Sequence, residues 1–255
     1  MLSTNKKKPL AVIVAAFFLF FSVSILASFS MRQVQELALT LALSAHSAIL
    51  LVLSLLFGTS CLWRDIEKRY VHSVLSLPRT RQRYLLGKFA SLVGFLLFCS
   101  VLLGLAGTLA VLLAARGYPA DVPVHWLHVL VALLGDLLKS LLLAALALLF
   151  STLATSFYLP FLVTLALYLC GSASQQVYEY LASPAAAQLA PLVVAAAKGL
   201  HFVLPNFALF DFKVAAIYAL PLAAQQVGLM LAYFVVYTAL VLLAAVALFN
   251  RRQFP

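Results

Sequence analysis

The sequence predicts an all-α polytopic membrane protein with six transmembrane helices. Of its 255 residues, 65% are hydrophobic and only 9% charged, which is more apolar surface than a water-soluble core can hide. The apolar residues gather into long runs, and a run of about 20 is what a crossing of bilayer hydrocarbon requires. Most of the charges fall between those runs rather than in them.

The first run, Leu10 to Phe29, follows Lys6, Lys7 and Lys8. A basic start before an apolar stretch also suits a secretory signal, but the stretch exceeds a usual signal core and no small-x-small cleavage site precedes the next run. It is therefore expected to remain as a span. The second and third runs, Leu37 to Trp63 and Tyr84 to Ala115, enclose WRDIEKRYVHSVLSLPRTRQRYLLGK, which carries seven basic residues between Trp63 and Lys88. The fourth, fifth and sixth runs are Leu127 to Phe150, Phe157 to Ala173 and Leu220 to Phe249.

Orientation follows from Lys and Arg in short loops. With the N-terminus inside, Lys6 to Lys8, the seven basic residues of the first long loop, Arg251 and Arg252 all lie in the cytoplasm, twelve of the 17 in the chain. Arg32, Arg116, Lys198 and Lys213 are then outside and Lys139 lies within a span. Both termini are expected in the cytoplasm. The stretch from Ser174 to Ala219 breaks the pattern, since 185–204 is moderately apolar yet contains Gln188, Pro191 and Lys198. A peripheral or re-entrant outer helix is expected, its backbone packed against protein or facing a wet cavity. No linker or soluble domain interrupts 1–255, which reads as one transmembrane domain.

A net charge of +10 raises nucleic acid as a partner, but the basic residues lie where topology demands them and few aromatics interleave with them. Membrane lipid headgroups account for the charge and no nucleic-acid partner is expected. Cys61, Cys99 and Cys170 lie in or at the ends of apolar runs without short spacing, so neither a disulfide framework nor a metal site is expected.

From Trp63 onward, Trp63, Ile66, Tyr70, Val74 and Leu77 recur at steps of three and four, while Arg64, Asp65, Glu67, Lys68, Arg69, His72, Ser73 and Ser76 fill the rest. That spacing predicts an amphipathic helix along the cytoplasmic surface. Pro78 ends it, and Arg79, Arg81 and Arg83 lead into the next span. By spacing alone this is either a surface helix obeying the positive-inside tendency or a docking element.

Within the fourth run Asp136 and Lys139 stand three apart on one helical face. Charges at that depth are costly and often functional. They either hold neighbouring helices together or belong to a translocation path. His125 and His128 flank Trp126 near the outer end of this run; without a third ligand they are read as interfacial anchors rather than a metal site. His46 and His201 look isolated and are assigned to packing.

Leu75, Ser76, Leu77, Pro78, Arg81, Tyr84, Leu86, Gly87 and Lys88 resemble the "LLSLPvsRxeyLlGK" stretch that follows the second span of ABC-2 type transporter permeases. Leu204, Pro205, Asn206, Phe207, Phe210, Asp211 and Lys213 are similar to the "LLPNfxxfdxk" segment before the last span in the branch grouped with multicopper enzyme maturation, including the permease of the nitrous oxide reductase accessory transporter. The ending Phe249, Asn250, Arg251, Arg252, Gln253, Phe254 resembles that branch's "FxRRxF" tail.

The resemblance implies a permease of a type V exporter-like fold in the bacterial inner membrane, working in export. Its amphipathic segment 63–83 would be a coupling helix seated on an ATPase. Arg64, Asp65, Glu67, Lys68, Arg69, Tyr70, Val74, Arg79 and Arg81 are then the contact residues, and Lys68, Arg69 and Tyr70 replace the family's acidic and Gly-Thr positions. The implied partners are two cytoplasmic ATPase subunits, a second permease copy or a similar permease, and a periplasmic accessory protein. ATP and Mg are expected on the ATPase, and no cofactor on this chain. Gly87-Lys88 is followed by Phe89 with no suitable upstream glycine, so a phosphate-cradling loop is absent. Neither Gly-x-Ser-x-Gly nor His-Glu-x-x-His occurs, and the chain is not expected to be an enzyme.

Overall fold

The computed structural model describes residues 14–23, 25, 34–67, 81–117, 124–154, 156–182 and 191–251. Among them there is no strand. Helix α1 covers Val14–Val23. It is followed by α2 (Val34–Glu67), α3 (Arg81–Gly117), α4 (Trp126–Leu153), α5 (Tyr158–Ala182), α6 (Pro191–Val203), a 3-10 turn (Phe207–Phe210), α7 (Lys213–Ile217) and α8 (Ala224–Arg251).

Five of these, α2, α3, α4, α5 and α8, are long and apolar enough to cross a bilayer. Exposed Leu97, Phe98, Val101, Leu105 and Leu109 on α3, and Leu229, Val235, Val236, Leu240 and Leu243 on α8, form apolar faces that water would penalise and lipid would not. These are the marks of a multi-pass helical membrane protein. Of the first expected span, at 10–29, the described part is α1 and residue 25, and the remainder lies outside the described residues.

The chain divides into two compact units, Met1–Ser54 with Ser91–Leu141 and Phe212–Leu231, and Leu55–Ala90 with Leu142–Asp211 and Ala232–Pro255. Along α4 every residue from Leu138 to Leu148 is buried, so this stretch of the helix is enclosed all round. In the second unit its small residues let α2 come close: a Cβ added at Gly58 would fall 2.8 Å from Ala147 Cβ and 3.3 Å from Ala144 Cα. Ser151 Oγ donates to Ala147 O within α4 and reaches Thr59 O on α2. Small residues and hydroxyls carry helix association where burial in lipid supplies no preference.

Helix α5 runs nine residues past the expected span end at Ala173. Apolar composition falls off there but the helix continues, and polar side chains bond along it: Ser174 Oγ donates to Gly171 O, and Gln175 Nε2 donates to Glu179 one turn on. Helix α6 has 13 residues, short of the roughly 20 that a crossing takes. It packs against α5, as does the 3-10 turn.

After α7, Ala219 adopts φ 51° and Leu220 N–H donates to Ala215 O at 3.1 Å. This is a left-handed C-terminal stop built on alanine where glycine is usual.

Candidate functional site

The first unit holds a buried polar cluster around Asp136, which is 1% exposed. Lys139, one turn along α4 and 4% exposed, donates from Nζ to Asp136 Oδ1 at 2.8 Å and to Ser47 Oγ of α2 at 3.0 Å. Lys213 of α7 brings a second ammonium to 3.7 Å from the same oxygen. The other carboxylate oxygen, Oδ2, faces His46 Nδ1 of α2 at 3.6 Å, and neither atom has a hydrogen-bond partner among the described residues. His46 Nε2 lies 3.1 Å from Ser100 Oγ of α3. Ser140 Oγ donates to Asp136 O. Residues from α2, α4 and α7 thus converge on one carboxylate, and α3 joins through His46.

The expected Asp136 and Lys139 pair is present, but it is not self-contained. His46 is a member of the cluster; it read as isolated because an apolar helix gives no local sign of a partner 90 residues away. Lys213, assigned to the outside loop, reaches into it as well. The signal that could have found Lys213 was its place in the stretch Leu204 to Lys213, where polar residues interrupt an apolar run.

In the second unit the charged loop has a tied base. Asp65, near the end of α2, accepts from the Tyr84 hydroxyl and pairs with Lys88 Nζ, both on the first turns of α3. Lys88 also sits over the Tyr84 ring, 5.6 Å from its centroid. Arg81 donates to Asn250 O at 3.1 Å, and Tyr84 stacks on Phe249 of α8 at 6.0 Å. The end of α8 therefore lies on the same side as the base of the loop. Trp63 meets Phe157 at the start of α5 at 5.6 Å.

Of the expected contact residues, Arg64 is exposed, Asp65 and Arg81 are in this base, and Glu67 closes α2. Lys68, Arg69, Tyr70, Val74 and Arg79, with most of the segment 63–83, lie outside the described residues.

The segment resembling "LLPNfxxfdxk" is a fixed joint. Asn206 accepts from Ala208 N, capping the 3-10 turn, while its Nδ2 donates to Gln175 Oε1 of α5. Its backbone N–H donates to the Tyr233 hydroxyl of α8 at 2.9 Å. Gly171 admits Pro205 O and Phe207 to van der Waals range of the α5 backbone; an added Cβ would meet Phe207 Cδ2 at 2.8 Å.

No protein-family model matches the chain, and no curated protein matches it. His125 and His128 stack at 5.2 Å, and no group of three or more metal-binding side chains occurs among the described residues. His201 stacks on Tyr178 at 4.5 Å, a packing role.

Proposed function

We propose that the chain is the membrane subunit of an ATP-binding cassette transporter of the ABC-2 type, working in export and driven by a separate cytoplasmic ATPase. The observation that carries this reading is the tied base of the segment 68–80. Asp65 is held by Tyr84 and Lys88, so the stems entering and leaving the segment are joined, and α8 is added through Asn250 and Phe249. A force applied to such a segment moves the ends of α2, α3 and α8 together instead of bending a slack loop. The likeness of Leu75 to Lys88 to the permease stretch supplies the partner, and segment 63–83 is then the coupling helix.

In this reading the protein sits in a bacterial inner membrane with both termini cytoplasmic, pairs with a second copy, and lines the substrate path at the pair's interface. Two ATPase subunits hold ATP and Mg. Export rests on family analogy.

The experiment is purification of the tagged chain from its native membranes in mild detergent, followed by identification and ATPase assay of what comes with it. An ATP-binding subunit should co-purify, and its hydrolysis should respond to the permease. Tyr70→Asp with Val74→Asp should abolish that co-purification while membrane insertion is kept. An ATPase retained undiminished by the double variant would remove the coupling assignment, and an ATPase bound without altered turnover would make the chain a membrane anchor.

A further inference from the structure

We propose that His46 and Asp136 form a proton-binding site inside the membrane-spanning part of the chain, reached from the Trp126 end through a narrow slot between α2, α3 and α4. The slot runs from buried His46 to Trp126, which is 42% exposed. Its volume of about 10 Å³ gives room for about one water molecule. Gly104 and Gly107 keep it open: a Cβ at Gly104 would fall 3.2 Å from Leu133 Cδ1, and one at Gly107 3.3 Å from Ala42 Cβ.

The carboxylate is divided between two tasks. Oδ1 takes both ammoniums, Lys139 at 2.8 Å and Lys213 at 3.7 Å, while among the described residues Oδ2 is turned to His46 alone. With a hydrogen on Nδ1 directed at Oδ2, the neutral ring uses Nε2 to accept from the Ser100 hydroxyl. When Nε2 takes a proton, that hydroxyl turns and accepts instead, since a serine can serve either way. Nε2 thus keeps a hydrogen-bond partner in either protonation state, and one N–H bond is all that forms.

Three elements bring charged or titratable groups and hydroxyls to the ring: Ser100 from α3, Asp136 and Lys139 from α4, and Lys213 from α7. The ammoniums oppose the added charge and Asp136 favours it. A proton taken up here draws Nδ1 and Oδ2 together, tightening α2 against α4 in the first unit.

The site stands without the permease reading. The test is solid-state NMR of the full chain labelled with 15N-histidine in lipid bilayers, titrated from about pH 5 to 8.5 across the ordinary histidine range. The His46 resonances are those moved by Ser100→Ala, a small change at a position that keeps its helix.

One ring should pass from neutral to doubly protonated, and in Asp136→Asn its midpoint should fall by about one unit or more, a tenfold loss of proton affinity. A His46 ring held in a single state across the range overturns the site, and this outcome needs only Ser100→Ala. A midpoint unchanged in Asp136→Asn overturns the role of the carboxylate. A titrating His46 in a chain that binds no ATPase removes the permease reading alone.

Discussion

Neutralising Asp136 should cost far more than removing Lys139, and the difference follows from how the charges are shared. In Asp136→Asn the ammoniums of Lys139 and Lys213 both lose a shared carboxylate, and Lys139 is only 4% exposed. Breaking a buried pair from one side in this way costs about 3 to 5 kcal/mol. In Lys139→Met the carboxylate keeps Lys213 at 3.7 Å and His46 at 3.6 Å, so the expected cost is about 1 to 3 kcal/mol, that of a lost charged hydrogen bond.

Asp136→Leu combined with Lys139→Met should cost less than the sum. It removes both buried charges, and Lys213, with a side chain 20% exposed, can turn outward. The assay is thermal unfolding of purified protein in one detergent, where about 1 kcal/mol corresponds to roughly 2 to 4 °C for a chain of this size. Asp136→Asn should therefore lower Tm by roughly 6 to 20 °C. Equal losses for the two single variants, or a double loss equal to their sum, would refute the division of the carboxylate between two ammoniums and a histidine.

Two further outcomes follow from backbone geometry. Gly171→Ala places a methyl 2.8 Å from Phe207 Cδ2 and against Pro205 O, and should lower stability by about 1 to 3 kcal/mol, read as a fall in Tm. Ala219→Gly relieves a left-handed residue at φ 51° and should raise Tm, the gain being about 0.5 to 1 kcal/mol after the entropy cost of glycine; a fall in Tm would contradict the strained stop.

The long helices were legible because a crossing writes itself as apolar length, and five of the expected spans sit on helices that fit them. Helix ends were less so: α5 continues through Ser174, Gln175 and Glu179, where polarity rises but the helical ladder persists. Of the polar cluster, the local pair Asp136 and Lys139 was readable from its spacing. Ser47, His46 and Ser100 were not, because a lone serine or histidine in an apolar run looks the same whether or not it meets a partner on another helix. The base of the charged loop was half readable: Asp65 and Arg81 were singled out, while Tyr84 and Lys88 entered through the permease-like stretch and not through contact with Asp65.

The residues missed share a physical cause. In lipid, one apolar arrangement of helices is little better than another, because tails cover leucine as well as leucine does. Choice among arrangements must then come from the few groups that lipid cannot satisfy. Asp65 ties α2 to α3, Asn206 ties α5 to α8, and Asp136 gathers α2, α4 and α7. Each bonds to side chains on another helix. The apolar runs thus say how many helices there are, while a handful of polar side chains decides which helices meet. Substitutions at these three positions should therefore alter helix pairing in a way that exchanging one exposed leucine for another on α3 or α8 would not.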